Sequence, residues 1–207
     1  MNSVRVGKLG AAMTGAAVSA FAISMLLDFF TDTMFFSCLS SLFIAIGYII
    51  FVAGVLSTQK DGPMPATAIA GMAFAVVYAV LIFLVYYAEC TTVRMNTALS
   101  EEAISIISYS HLGSLFFNYD LLGYAFMGLS TFFVGFSIKP IDNSGKWLQR
   151  LLWIHGIFFI ACLIVPMLPI FTPETDSIVG TILLEFWCVY FIPVCILGWK
   201  YIGAEEH

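Results

Sequence analysis

The sequence is short of charge. Of 207 residues, 8 are Lys or Arg and 13 are Asp or Glu, so 10% are charged, against roughly a quarter in an average soluble domain. The eight cations form no basic stripe, which excludes a nucleic-acid-binding surface. Chemistry-bearing motifs are missing as well. There is no HExxH or other metal-spaced cluster, no GxSxG elbow and no glycine-rich phosphate loop. Of three histidines only His155 lies inside an apolar stretch, so a haem held by two intramembrane histidines is excluded. Five cysteines include no CxxC pair, the spacing that dithiol redox chemistry uses. No Ser/Gly/Pro-rich linker breaks the chain. No catalytic residue, metal ligand or cofactor is assigned, and residues 1–207 are read as one transmembrane domain.

What is present is hydrophobic: 61% of the chain. A bilayer core about 30 Å thick takes about 20 helical residues. Gaps between charged residues leave six stretches of that length, at about 9–30, 34–57, 65–88, 121–138, 147–170 and 177–199. The expected fold is all-α: a polytopic integral membrane protein built as a six-transmembrane-helix bundle. The apolar run of the first stretch continues past Ala20-Phe21-Ala22 through Leu27, so it reads as a span rather than a cleaved signal peptide.

Basic residues then set the orientation. With six crossings, one face holds Arg5, Lys8, Lys60, Lys139, Lys146, Arg150 and Lys200, and the other holds Arg94 alone. Cytoplasmic loops carry the excess of Lys and Arg, so both termini should be cytoplasmic, in a cell-membrane protein. The outer face carries Asp28, Asp32, Glu89, Glu101, Glu102, Asp120, Glu174 and Asp176. Such a face concentrates cations or a cationic ligand. Tyr86, Tyr87 and Tyr119 read as outer interfacial anchors, and Trp147, Trp153 and Trp199 as inner ones. Small residues at four-residue spacing, Ala11/Gly15/Ser19 and Gly71/Ala75/Ala79, predict close helix approach in lipid.

One loop is long. Residues 89–120 contain Ile104, Ile106, Ile107, Tyr109, Leu112 and Phe116, too apolar for a solvated tether. Ser100 followed by Glu101 and Glu102 predicts a capped short helix lying at the interface. Ile104, Ile107 and His111 would share its face, with Gly113 as its stop. Cys90 is the one cysteine in a loop; it could pair with Cys38 if both lie near the same face, but five free thiols is the simpler expectation.

Two ionisable groups fall inside spans, His155 and Glu185. At 1.5 Å per residue they differ in depth by roughly 10 Å, which argues against a direct bond between them. Pro166, Pro169 and Pro193 are expected to interrupt the fifth and sixth helices, and freed backbone groups in a membrane must find partners or line a cavity. Glu185 shares its half of the bilayer with Asp28, Ser37, Ser40 and Tyr124, with Asp120 at the boundary. These six are the candidate ligand-binding residues of an outward-facing polar cavity centred on Glu185. The leading expectation is a transporter or solute-binding membrane subunit taking a small or cationic ligand from outside. The alternatives are an intramembrane enzyme acting on a lipid or isoprenoid, and a non-catalytic sensor in which Glu185 pairs with a membrane partner subunit.

Overall fold

The computed structural model describes residues 2–28, 30, 34–58, 64–95, 98–168 and 177–204, the side chains of 177–179 excepted. Six helical stretches among them are long and apolar enough to cross a bilayer, and no strand occurs among the described residues. The first two crossings are α1 (Ser3–Asp28) and α2 (Phe35–Ser57). The third is α3 (Ala66–Ala88), continuing as one π-helical turn, Glu89–Val93. A short α4 (Glu101–Ile107) precedes the fourth crossing, α5 (Leu115–Ser137). The fifth is broken into α6 (Asn143–His155) and α7 (Ile157–Ile164), and α8 (Ser177–Ala204) is the sixth. The protein is an all-α, multi-pass integral membrane protein.

Local chemistry starts these helices. Ser100 caps α4 by accepting from Ala103 N at 3.2 Å, as its sequence predicts. Ser114 caps α5 through Phe117 N at 3.0 Å, and Asp142 caps α6 through Gly145 N at 2.8 Å. Gly113 does not stop α4, which ends at Ile107; it turns the chain into α5 with φ 81°, a conformation that glycine adopts without strain. His111 therefore lies beyond α4 and shares no helical face with Ile104 and Ile107.

Close backbone approach holds the bundle. Without a hydrophobic drive between helices in lipid, van der Waals fit and polar links must bind them. A Cβ on Gly54 would lie 2.2 Å from Gly7 Cα, and one on Gly10 would lie 2.3 Å from Phe51 N. This Gly7/Gly10 stripe, with Gly47 and Gly54 opposite, is the α1–α2 contact. Ala11/Gly15/Ser19 instead turns toward α8, where Gly15 faces Cys195 and the stripe lines a groove of about 400 Å³. The Gly71/Ala75/Ala79 stripe is buried; a Cβ on Gly71 would lie 2.8 Å from a Val134 methyl on α5. Beside it, Tyr48 Oη donates to Ser130 Oγ at 2.9 Å, which donates to Gly71 O at 2.7 Å, joining α2, α5 and α3.

The two ends of the bundle differ. Lys8 Nζ lies 4.9 Å over the Trp199 ring, and the Lys139 backbone N–H donates to Tyr201 Oη at 3.3 Å. The starts of α1 and α6 and the end of α8 thus share one end, which gathers Arg5, Lys8, Lys139, Lys146, Arg150 and Lys200. Arg94 lies at the other, 4.2 Å over the Phe35 ring. Lys60, Asp32, Glu174, Asp176 and Pro169 fall outside the described residues.

Two features differ from the sequence reading. Helix α8 runs without interruption through Pro193; in a membrane, neighbouring groups re-satisfy what proline frees. Pro166 does sit in a tight 3-10 turn, Val165–Met167, closing the fifth crossing. The larger difference is α5, which starts at Leu115 rather than near 121. Asp120 therefore falls within α5 and not before it. It lies five residues, about 7.5 Å, along the helix from its start.

Candidate functional site

Asp120 is 3% exposed. It projects from α5 into a cluster of buried tyrosines: Tyr78 and Tyr86 of α3, Tyr124 one turn farther along α5, and Tyr109 of the long loop. Successive rings touch, with centroids 5.2 Å apart for Tyr86–Tyr109 and 5.9 Å for Tyr78–Tyr124. The Tyr124 ring meets Trp187 of α8 edge-on at 5.2 Å. Burial holds the Tyr109 hydroxyl well above its ordinary pKa, so it stays neutral.

The polar atoms of this cluster are not satisfied. The Tyr86 hydroxyl stands beside the carboxylate. Even so, Tyr86 Oη, Asp120 Oδ1 and Tyr124 Oη each lack a hydrogen bond of good geometry. Five buried side-chain polar atoms are orphaned among the described residues, and three of them meet here. No basic side chain among the described residues contributes to the surroundings of Asp120. An unpartnered buried polar group costs about 1–3 kcal/mol, and more if charged. The arrangement calls for a proton or a cation.

The other predicted residues fall in three places. Asp28, at the end of α1, accepts from Ser37 Oγ of α2 at 2.8 Å. Cys38, next to Ser37 in sequence and 1% exposed, is within electrostatic reach of Asp28, Glu89, Cys90 and Asp120. All five cysteines are free thiols, so Cys38 and Cys90 do not pair. Ser40 is half-buried and directs its hydroxyl to Phe36 O at 2.8 Å within its own helix. Glu185 stands apart. It is half-exposed on α8, its Oε1 is enclosed without a partner, and its electrostatic neighbour is Cys188 one turn along. None of the six lines the groove between α1 and α8.

Sequence reading missed Tyr86, Tyr109 and Glu89. Tyr86 carries the mark of an interfacial anchor, and Glu89 that of a span boundary. The signal that was available is Ser114: read as an N-cap, it starts α5 at Leu115 and carries Asp120 into the bundle.

His155 is buried, and its role is structural. Trp187 Nε1 can only donate, so His155 Nε2 accepts from it at 3.0 Å. Thr131 Oγ1 donates to Gly128 O at 2.9 Å, so at 2.8 Å it accepts from His155 Nδ1–H. The imidazole is neutral and both nitrogens are used, which leaves none for Glu185. It ties α5, α6 and α8 together at the break between α6 and α7. His155→Leu should lower the melting temperature by orphaning the Trp187 N–H, at about 1–3 kcal/mol. Thermal unfolding of the purified full chain reads this, and cation binding should survive.

Among the described residues, no group of three or more His, Cys, Asp and Glu is placed to hold a metal ion. Compared with protein families, curated proteins and solved structures, the chain matches none.

Proposed function

We propose that this protein is a solute-binding or transporting membrane protein for a small monovalent cation, with Asp120 as the counter-charge. The carrying observation is the buried Asp120 carboxylate, whose Oδ1 has no hydrogen-bond partner and which stands beside two orphan tyrosyl oxygens. A single carboxylate balances one positive charge, whereas divalent hard cations gather several oxygens. Aromatic rings around the acid favour an ammonium group through their quadrupoles. The end bearing the six described cations, Arg5 to Lys200, would face the cytoplasm, so the Asp120 end would face outward. The ligand would then approach past an acidic surface.

Glu185 is a secondary element in this reading, because Asp120 and the tyrosines cluster without it. The lipid-enzyme alternative has less support. The groove that opens sideways between α1 and α8 is lined by no acid, so general acid–base chemistry has no group there.

Thermal stability of the purified full chain tests the proposal, with methylammonium, tetramethylammonium, potassium and sodium as probes. One cation at about 100 times its dissociation constant should add about 2.7 kcal/mol of stability. Asp120→Asn should abolish that gain and Glu185→Gln should keep it. Equal responses from wild type and Asp120→Asn would overturn the site. Loss in Glu185→Gln alone would return the role to Glu185.

A further inference from the structure

We propose that the Glu89 carboxylate is a latch that holds the long loop closed over Asp120, and that its release is the access step to the cation site. This rests on the cation-binding reading above and adds its regulation.

The loop is pinned at a small patch. No residue of α4 is buried, and Ile106 is 56% exposed. The buried residues between α3 and α5 are Ser108, Tyr109 and Ser114. All three are organised around Glu89. Its Oε1 accepts from Ser108 Oγ at 3.0 Å and from the Tyr109 backbone N–H. Ser108 Oγ is also 2.8 Å from Ser110 Oγ, and Ser114 Oγ donates to Ser108 O at 2.7 Å. Hydrogen bonds to an ionised acceptor are roughly twice as strong as neutral ones. The carboxylate therefore fixes the backbone at the residue whose ring contacts Tyr86, beside Asp120.

The helix geometry fits this role. Glu89 opens the π-helical turn that ends the third crossing. Such turns occur as single insertions, frequently at functional sites, and they re-aim the residues that follow. Releasing one carboxylate would uncover Tyr109 and then Asp120, while the bundle beneath keeps its glycine contacts.

Cys38 reports on the latch directly. It is 1% exposed and lies beside both Glu89 and Asp120. The full chain in nanodiscs, which expose both faces, is treated with a sulfonate-bearing, anionic methanethiosulfonate, with none of the ammonium probes present. Mass spectrometry follows Cys38 against the deeper Cys188 and Cys195. Glu89→Ala should speed modification of Cys38 by about tenfold or more, because charge-assisted bonds worth at least one factor of ten are lost. Cys188 and Cys195 should keep their wild-type rates. Glu89→Gln retains an acceptor oxygen and should fall between. Should Glu89→Ala not fold, Ser108→Ala removes one latch bond with less disturbance and should still raise the Cys38 rate. Wild-type Cys38 rates in a folded variant would overturn the latch. The assay reads thiol modification and not cation-induced stabilisation, so that failure is separate from the loss of stabilisation that would overturn the Asp120 site.

Discussion

Asp120→Leu should melt higher than the wild-type protein when no ligand is present. Most substitutions at a fully buried position do the reverse. Here the native side chain carries an unpartnered oxygen and has no basic neighbour among the described residues. Replacing a poorly compensated buried polar group by an apolar one of similar shape is neutral or stabilising. Removing a penalty of about 1–3 kcal/mol raises the melting temperature by about 2–12 °C in a chain of this size. The same variant should lose all stabilisation by cations. Gained stability with lost binding marks a site held in a strained state for function. An acid that merely braces α3 against α5 would give the opposite sign, a lower melting temperature. Differential scanning fluorimetry on wild type, Asp120→Leu and the closer-shaped Asp120→Asn separates the two.

Gly54→Val should be the most damaging single substitution outside the site. The α1 and α2 backbones touch at Gly54 and Gly7, and the Cβ of any other residue would come within 2.2 Å of Gly7 Cα. Backbone cannot rotate aside as a flexible side chain can. The two helices must separate, and Gly10 against Phe51 and Gly47 against Thr14 lose contact with them. Overpacking of a close-packed core costs typically 1–3 kcal/mol and sometimes more, and here the whole α1–α2 interface is strained. A loss of about 3 kcal/mol lowers the melting temperature by roughly 6–12 °C. Gly180→Ala is the control. No atom of the described residues lies within 4 Å of a Cβ there, and alanine favours a helix over glycine by about 1 kcal/mol. That variant should melt at or above the wild-type temperature.

The fold was readable because apolar length and scarce charge speak for themselves in a membrane. Six spans, the segregation of Arg94 from the other cations, and the Ser100 cap all follow from single residues. The candidate site was only half readable, for a physical reason. Charged residues mark span boundaries where they meet solvent, and that rule fails where an acid is buried against its own bundle. Asp120 was placed at an edge, so Glu185 looked like the lone deep acid. The Ser114 cap starts α5 at Leu115, and Asp120 then packs inside the bundle at 3% exposure, whereas Glu185 is half-exposed. Tyr86 and Tyr109 were beyond reach. They lie 34 and 11 residues from Asp120 in sequence, and tertiary packing alone shows that their rings close on one carboxylate. Both small-residue stripes pack closely, Gly71/Ala75/Ala79 against α5 and Ala11/Gly15/Ser19 toward α8, where a Cβ on Gly15 would lie 3.2 Å from Cys195 Cβ, while a second face, Gly7/Gly10, meets α2. Spacing alone does not say which side of a helix its neighbour takes.

Equilibrium binding of radiolabelled methylammonium to the purified full-length protein, wild type against Asp120→Asn, is the most direct test of a cation site in the tyrosine cluster. Saturable one-to-one binding by the wild type, competed by unlabelled ammonium ions and lost in a folded Asp120→Asn variant, is the predicted result. Saturable binding that persists unchanged in Asp120→Asn, or no saturable binding of this probe or any competing monovalent cation to the wild type, would contradict it.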